Sequence, residues 1–190
     1  MIKFLTDKTV SLIRYGRGSI VSLPAPIEAA LIAEGAAENF PVVFKPIEVL
    51  SSSAVAASCG SIAVDEILAS FTVSAGNLGV NSILQIEPLW TFASSTNNKI
   101  LKVKVGAATV YSATRTTSTK EAPLIVLANR NSLASQIQPY DNNYVTAGSG
   151  TPTSYTIDFS VAVIVQILGQ RTAPDTLTLE YFRALHFVGA

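Results

Sequence analysis

The chain has 190 residues, of which 48% are hydrophobic and only 14% are charged. Thirteen basic residues balance thirteen acidic ones, so the formal net charge is zero. The high hydrophobic share excludes an intrinsically disordered chain, and the balanced charge argues against a protein drawn to nucleic acid or to an acidic membrane by its overall field. A chain with so few charges tends to associate, which favours an obligate oligomer or one part of a larger assembly.

The single cysteine, Cys59, has no second cysteine to pair with, so the fold does not depend on an internal disulfide. The first residues lack the apolar run of a signal peptide, and no apolar stretch approaches the length of a membrane-spanning helix. We therefore expect synthesis in the cytoplasm and no membrane partner.

Residues 1–50 predict a small α+β module. Short apolar segments flank the turn residues 14–18, which include two glycines. Pro24 and Pro26 then precede a segment with apolar residues at helical spacing that ends at Gly35, which predicts a short helix. This module has too few residues for a large core of its own, so we expect it to act in attachment.

Residues 51–60 are almost all small and predict a linker between this module and the rest of the chain. From residue 61 to residue 190 the apolar residues recur with a period of two, which is typical of β-strands. Ile83–Phe92 and residues 100–105 follow this pattern, as do the long segments 155–167 and 177–187. The predicted fold class is therefore mainly β: an antiparallel β-sandwich that follows a small α+β module.

Charge is unevenly distributed along the predicted sandwich. Residues 51–98 contain three acids and no lysine or arginine, whereas residues 99–130 contain six basic residues and one acid. Two interpretations remain open, namely two differently charged faces in water, or basic strands that contact an acidic surface of a neighbouring subunit. Under the second, Lys102 and Lys104 are the candidate contact residues because they alternate with Leu101, Val103 and Val105.

The sequence predicts no catalytic residue, no metal site and no cofactor. His186 lies in an apparent strand, and one histidine with one cysteine gives no zinc-ligand spacing. Four acids are predicted to be solvated side chains on strands: Glu66, Glu87, Asp158 and Glu180. The glycine-containing turns at 76–79 and 148–150 do not connect a strand to a helix, as a phosphate-binding loop does.

Two further surfaces are candidates for contacts. The first is a polar loop with two tyrosines, suited to a sugar or a protein or else simply closing one end of the sandwich; its candidate residues are Tyr140, Asp141, Asn142, Asn143 and Tyr144. The second is the face opposite the main apolar stripe of the last two strands, where Ile164, Leu168 and Phe182 are the candidate subunit contacts.

Several segments resemble structural proteins of tailed bacteriophages. Residues 15–24, continued by residues 28–38, are similar to a small module with a tight hairpin, a Leu-Pro and a short helix that ends in Gly-Ala-Ala. Residues 78–86, 89–92 and 97–106 resemble the jelly-roll modules of head-decoration, head-fibre and tail-fibre proteins, and residues 175–183 resemble their last strand. The resemblance implies a jelly-roll-like sandwich in a virion protein that is usually trimeric and has no active site.

Two functions follow from this resemblance as hypotheses. The leading one is a capsid decoration (cement) protein, made in the host cytoplasm, whose homotrimers bind the lattice of the major capsid protein on the capsid surface and stabilise the shell. The alternative is a head-fibre or tail-fibre tip that binds a host glycan. Because nothing in the chain repeats as a fibre shaft does, the sequence favours the capsid.

Overall fold

The structure is a computed structural model that describes residues 2–4, 8–10, 13–15, 20–21, 23–35, 37–39, 47–138 and 151–189. The chain divides into two compact units, Met1–Phe44 and Lys45–Ala190. In the described parts of the chain, no helix is long and apolar enough to cross a membrane.

The N-terminal unit combines short strands with one helix. Its three-stranded antiparallel sheet has β1 in the centre, and β2 and β3 form a separate antiparallel pair. The elements are β1 (Ile2–Phe4), β2 (Lys8–Val10), β3 (Ile13–Tyr15), β4 (Ile20–Val21), α1 (Ala25–Ala33) and β5 (Ala37–Asn39).

The predicted helix is α1, and its ends have the expected residues. Pro24 is the N-cap, and Pro26 occupies the first turn, where a missing N–H costs no hydrogen bond. The N–H of Glu34 donates to the carbonyl of Ala30, and Gly35 follows with a φ of 67°, a left-handed conformation that glycine adopts without strain.

The larger unit contains two antiparallel sheets. The four-stranded sheet has the order β11-β10-β16-β8, and consists of β8 (Glu66–Val73), β10 (Lys99–Val105), β11 (Ala108–Arg115) and β16 (Val163–Arg171). The main path of the other sheet has the order β15-β14-β13-β9-β17-β6, while β12 pairs with β9 and β7 pairs with β17. Its strands are β6 (Ile47–Ser53), β7 (Ala57–Ser58), β9 (Ile83–Phe92), β12 (Lys120–Glu121), β13 (Ile125–Asn129), β14 (Gln136–Gln138), β15 (Thr153–Tyr155) and β17 (Leu177–Phe187).

The core lies between the facing sides of these sheets, and the predicted antiparallel β-sandwich is confirmed. β9 has the predicted bounds, and its side chains alternate between half-buried and buried along all ten residues. In β10 the side chains of Leu101, Val103 and Val105 are fully buried, as the alternation predicted. The sheets approach closely at Gly169, where an added Cβ would lie 2.9 Å from a methyl carbon of Leu177.

The linker predicted at residues 51–60 is wrong, because most of this segment belongs to the sandwich. Residues 51–53 end strand β6, which pairs with β17, and residues 57–58 form β7, which pairs with the start of β17. Cys59 is buried in the core, and its N–H donates to the carbonyl of Leu177. Small residues here allow a strand to lie close to its neighbours, which composition alone does not distinguish from a flexible linker.

The single strand predicted over residues 155–167 is also divided. Tyr155 ends β15 in one sheet, and β16 begins at Val163 in the other sheet, so residues 156–162 cross between the sheets. This crossover is attached to the core by Ile157 and Phe159, which are buried. Alternation of apolar residues continues through the crossover because both of its ends face the same core.

The structure corrects the predicted exposure of Phe182 and of Leu168. The pairing of β17 with β9 shifts between Leu179 and Tyr181, so Glu180 is an extra residue in β17. An extra residue reverses the faces of the residues that follow it in the same strand, so Phe182 turns inward and joins the core. Leu168 keeps the face of its paired neighbours Lys102 and Ile67 and is nevertheless buried, so neither Leu168 nor Phe182 is available as a subunit contact.

Candidate interaction surfaces

Three of the six basic residues of the segment 99–130, namely Lys99, Lys102 and Arg115, are paired with acids within the fold. The ammonium group of Lys102 donates to both carboxylate oxygens of Asp65, at 2.8 Å each. Arg115 pairs with Glu121. Lys104 is half-buried, and no carboxylate lies within 4 Å of it in the described part of the chain. Of the two predicted lattice contacts, Lys102 is thus already neutralised, and the role of Lys104 stays a prediction.

Lys99 is fully buried, which our sequence analysis missed. Its ammonium group donates to Ser95 Oγ at 2.9 Å and to the carbonyl of Thr116 at 2.8 Å, and it lies 3.5 Å from Asp175 Oδ2. The lysine thereby joins three loops at one end of the sandwich. The alternation in β10 predicts this burial, because Lys99 lies two residues before Leu101 and four before Val103, which face inward.

Glu121 is the centre of a second polar cluster. Arg115 donates to both of its oxygens at 2.7 Å, and the hydroxyl of Tyr111 donates to Oε1 at 2.5 Å. Burial by itself raises the pKa of this carboxyl group, but the hydrogen bonds from Arg115 and Tyr111 outweigh it, so the pKa lies below its ordinary value. Tyr111 also stacks on Trp90, which ties the cluster to the core.

We expect Glu121 to stabilise the fold at neutral pH and to lose this effect in acid. The pKa of Glu121 is lower in the folded protein than in the unfolded chain, where a glutamate has a pKa of about 4.3. The carboxylate therefore contributes its full stabilisation above that unfolded pKa, and the contribution is lost as the pH falls through the folded pKa. The variant E121Q should lower the free energy of unfolding by about 1–3 kcal/mol at pH 7 and show a shallower loss of stability below about pH 4. Urea unfolding at a series of pH values measures both effects.

The matched control is E87Q, which removes a carboxylate from the more exposed pair of Glu87 with Arg183. An exposed ion pair contributes about 0–1 kcal/mol, so this variant should unfold almost like the wild type. Two results would contradict the role assigned to Glu121. The first is an equal loss of unfolding free energy in the two variants, and the second is an E121Q protein whose stability falls in acid as steeply as that of the wild type.

Ser82, His186 and Glu48 lie in the order of a serine–histidine–acid triad. His186 Nε2 is 2.9 Å from Ser82 Oγ, and Nδ1 is 3.5 Å from Glu48 Oε2, too far for the latter pair to form a hydrogen bond. However, Ser82 is only 1% exposed, and its hydroxyl oxygen also accepts the N–H groups of Gly79 and Gly189. A hydroxyl so enclosed joins chain segments and cannot reach a substrate.

The four acids considered in the sequence do not converge. Each binds a different partner: Glu66 accepts the N–H groups of Gly60 and Ser61, Glu87 binds Arg183, Asp158 accepts the N–H of Ser160, and Glu180 accepts the hydroxyl of Thr91. Within the described ranges, no three His, Cys, Asp or Glu side chains are grouped so that they could hold a metal ion. The polar side chains described here therefore act mainly in holding the fold.

Of the remaining predicted contacts, Ile164 is exposed by 53%, as a surface contact requires. The predicted binding loop, with Tyr140, Asp141, Asn142, Asn143 and Tyr144, lies outside the described residues.

Large apolar side chains are exposed at several places on the larger unit. More than half of those in the described part of the chain belong to residues 47–67: Ile47, Val49, Val55, Ile62, Val64 and Ile67. The sequence analysis did not identify this group, because the segment shows no regular alternation and its residues 51–60 were interpreted as a linker. They do not form one patch, because Ile47 lies opposite Phe187 at the end of β17, whereas Ile62 and Ile67 lie beside β16.

The described part of the larger unit includes two concave regions. The larger is an open cleft of about 830 Å³ between the β10–β11 turn at Gly106–Ala108 and the segments 154–158 and 161–166. The smaller, of about 360 Å³, lies over β6, β9 and β17 beside Tyr181 and Arg183. The larger cleft is bordered mainly by apolar side chains, with Asp158 as the acidic one.

No family model matches the chain, and no curated protein does. Among solved structures, the chain is similar to the CBM2 module of the evolved Dit of Lactobacillus casei BL23 phage J-1. The two chains are 9% identical with a TM-score of 0.30, and the alignment covers 64% of this chain and 69% of that chain. It is also similar to VP2 of infectious bursal disease virus in its subviral particle, with 10% identity and a TM-score of 0.31 over 76% of this chain. The alignment spans only 42% of that VP2 chain. Likenesses this distant do not decide a function.

Proposed function

We propose that this protein is a non-enzymatic structural protein of a tailed-phage particle, which binds the outside of the capsid as homotrimers and stabilises the shell. The observation that carries the proposal is the combination of exposed apolar side chains with polar groups that are satisfied inside the fold. A surface of this kind is suited to lasting contact with other protein subunits. The resemblance of residues 78–106 to phage jelly-roll modules supports the same assignment.

The proposed action is stabilisation by mass action. A protein that binds only the assembled lattice of the major capsid protein lowers the free energy of that state by its own binding free energy. Many copies on one shell add their contributions, and this sum opposes the outward pressure of packaged DNA. No reaction has to take place for this role, and hence no reactive side chain is needed.

Phage particles that lack this protein are expected to release their DNA at a lower temperature than complete particles, while they adsorb to cells normally. The measurement is DNA release during heating, followed by dye fluorescence, with adsorption assayed on the same preparations. Adding back the purified protein should restore the release temperature. Particles with unchanged heat stability would overturn the proposal, and a loss of adsorption in such particles would favour the host-binding fibre instead.

A further inference from the structure

The β-bulge in β17 decides which face of the sheet Tyr181 reaches. Leu177 and Leu179 face the core, so regular alternation would also bury Tyr181 and leave Phe182 outside. Because the pairing with β9 skips Glu180, the two aromatic residues exchange faces. Phe182 is buried in the core, whereas Tyr181 is 40% exposed on the outer face of the sheet. Bulges next to functional sites redirect side chains in this way.

Tyr181 borders the smaller concave region, of about 360 Å³. This region is also lined by the ion pair of Glu87 with Arg183 and by the small residues 52–54. Its volume lies in the range of about 300–1,000 Å³ that is usual for small-molecule sites. An aromatic side chain beside a few polar groups is the composition expected of a site that binds an amphipathic ligand.

The polar groups of this region form one row across three neighbouring strands, because Arg183 lies opposite Ser52 on one side and Glu87 on the other. Glu87 Oε2 accepts the Nε and Nη2 groups of Arg183, and its Oε1 accepts the amide of Gln85. In the part of the chain that the structure describes, Nη1 of Arg183 and the hydroxyl of Ser52 have no protein partner. The row thus offers donors and acceptors with no net charge.

We propose that this concave region binds one pyranose ring of a neutral glycan. The C–H groups on one face of such a ring pack against the negatively polarised face of an aromatic ring, which Tyr181 supplies. Vicinal sugar hydroxyls both donate and accept hydrogen bonds, which matches a carboxylate beside guanidinium donors. A charged ligand fits less well, because the Glu87–Arg183 pair has no net charge to balance it. This ligand site goes beyond the proposed capsid role and does not depend on it.

The test measures binding of methyl glucoside, methyl galactoside and N-acetylglucosamine to the purified full-length protein by saturation-transfer difference NMR. At least one of these sugars should bind with a dissociation constant of a few millimolar, as expected for about twelve non-hydrogen atoms. Y181A should weaken this binding at least about tenfold, whereas Y181F keeps the ring and should bind within about twofold of the wild type. Glucuronate should bind more weakly than methyl glucoside.

The control is L124A, which truncates an exposed apolar side chain outside the concave region and should bind sugar like the wild type. Circular dichroism of each variant verifies its fold. Three results would each overturn the site: no saturation transfer to any of the three sugars, equal binding by Y181A and the wild type, or tighter binding of glucuronate. Since the measurement needs no capsid, sugar binding by a protein that leaves particle stability unchanged would reject the proposed function and keep this site.

Discussion

Replacement of Lys99 by alanine is expected to lower the free energy of unfolding of the larger unit by about 3–5 kcal/mol, because the buried ammonium group is the donor for acceptors on separate loops. The substitution leaves the carbonyl of Thr116 without this donor and removes the cation beside Asp175. Water does not replace the lost bonds easily, since the lysine side chain has no exposed surface. For a unit of this size the loss corresponds to a fall in melting temperature of roughly 10 °C.

The matched control for this prediction is K104A, which removes a half-buried lysine from the same strand. A surface substitution of this kind changes stability by about 0.5 kcal/mol or less. Calorimetry of both variants against the wild type gives the comparison. If K99A melted within 2–3 °C of K104A, roughly the effect of 1 kcal/mol, the ammonium group would not be the main link between the three loops.

Lys99 illustrates which parts of the fold could be read from the sequence. In β10 one face is buried, so a period of two defines the inward residues reliably, and the burial of Leu101 and Val103 followed from it. Two residues before Leu101, the same rule places the side chain of Lys99 on the inward face. A sequence gives no direct sign of its partners, because Thr116 and Asp175 reach it only when distant loops meet in the folded chain.

The bulge in β17 shows where this rule ends. A bulge inserts one residue into the pairing of two strands, and it is determined by the partner strand as much as by the residues themselves. Alternation in the sequence therefore predicts that Phe182 faces outward, whereas the structure buries it. Likewise, the run of small residues at 51–58 was compatible with a linker and with a strand, and only its pairing with β17 distinguishes the two.

The candidate surfaces were less accessible to prediction than the core. Ile164 was identified because it lies on the outward face of a regular strand. The exposed residue Val64 lies between β7 and β8, where no periodicity indicates which side chains face solvent. The cleft forms where a turn, a crossover and a strand from different parts of the chain meet, so it is a property of the topology.

The crossover that borders the cleft depends on Gln136, and this is the basis of the second large effect. Gln136 is fully buried, and its amide group accepts the N–H of Ile157 at 2.9 Å and donates to the carbonyl of the same residue at 3.0 Å. It also donates to Asn129 Oδ1 and to the carbonyl of Leu133. One side chain thus binds four groups, of which the carbonyl of Leu133 is partly buried and also accepts the N–H of Phe159.

The variant Q136L should therefore lose about 3–5 kcal/mol of stability. Leucine has a similar volume but leaves the N–H and the carbonyl of Ile157 and Asn129 Oδ1 without this partner, at about 1–3 kcal/mol for each fully buried group, whereas the carbonyl of Leu133 keeps the N–H of Phe159. The matched control is Q138L in the same strand. Gln138 is also buried, but among the described residues its amide group donates only to the carbonyl of Val110, and its Oε1 has no partner there. Removing a polar atom that is already unpaired offsets the lost bond, so Q138L should change stability by about 1 kcal/mol or less.

The two glutamine variants should also differ in assembly. Because Ile157 and Asp158 border the cleft, release of Ile157 from Gln136 displaces the wall of the cleft beside Ile164, our predicted subunit contact. At a temperature where Q136L is still folded by circular dichroism, it should show a smaller trimer fraction in sedimentation than Q138L at equal concentration. A Q136L protein with wild-type stability and a full trimer fraction would show that the crossover keeps its position without this amide, and that the cleft is built by its apolar contacts alone.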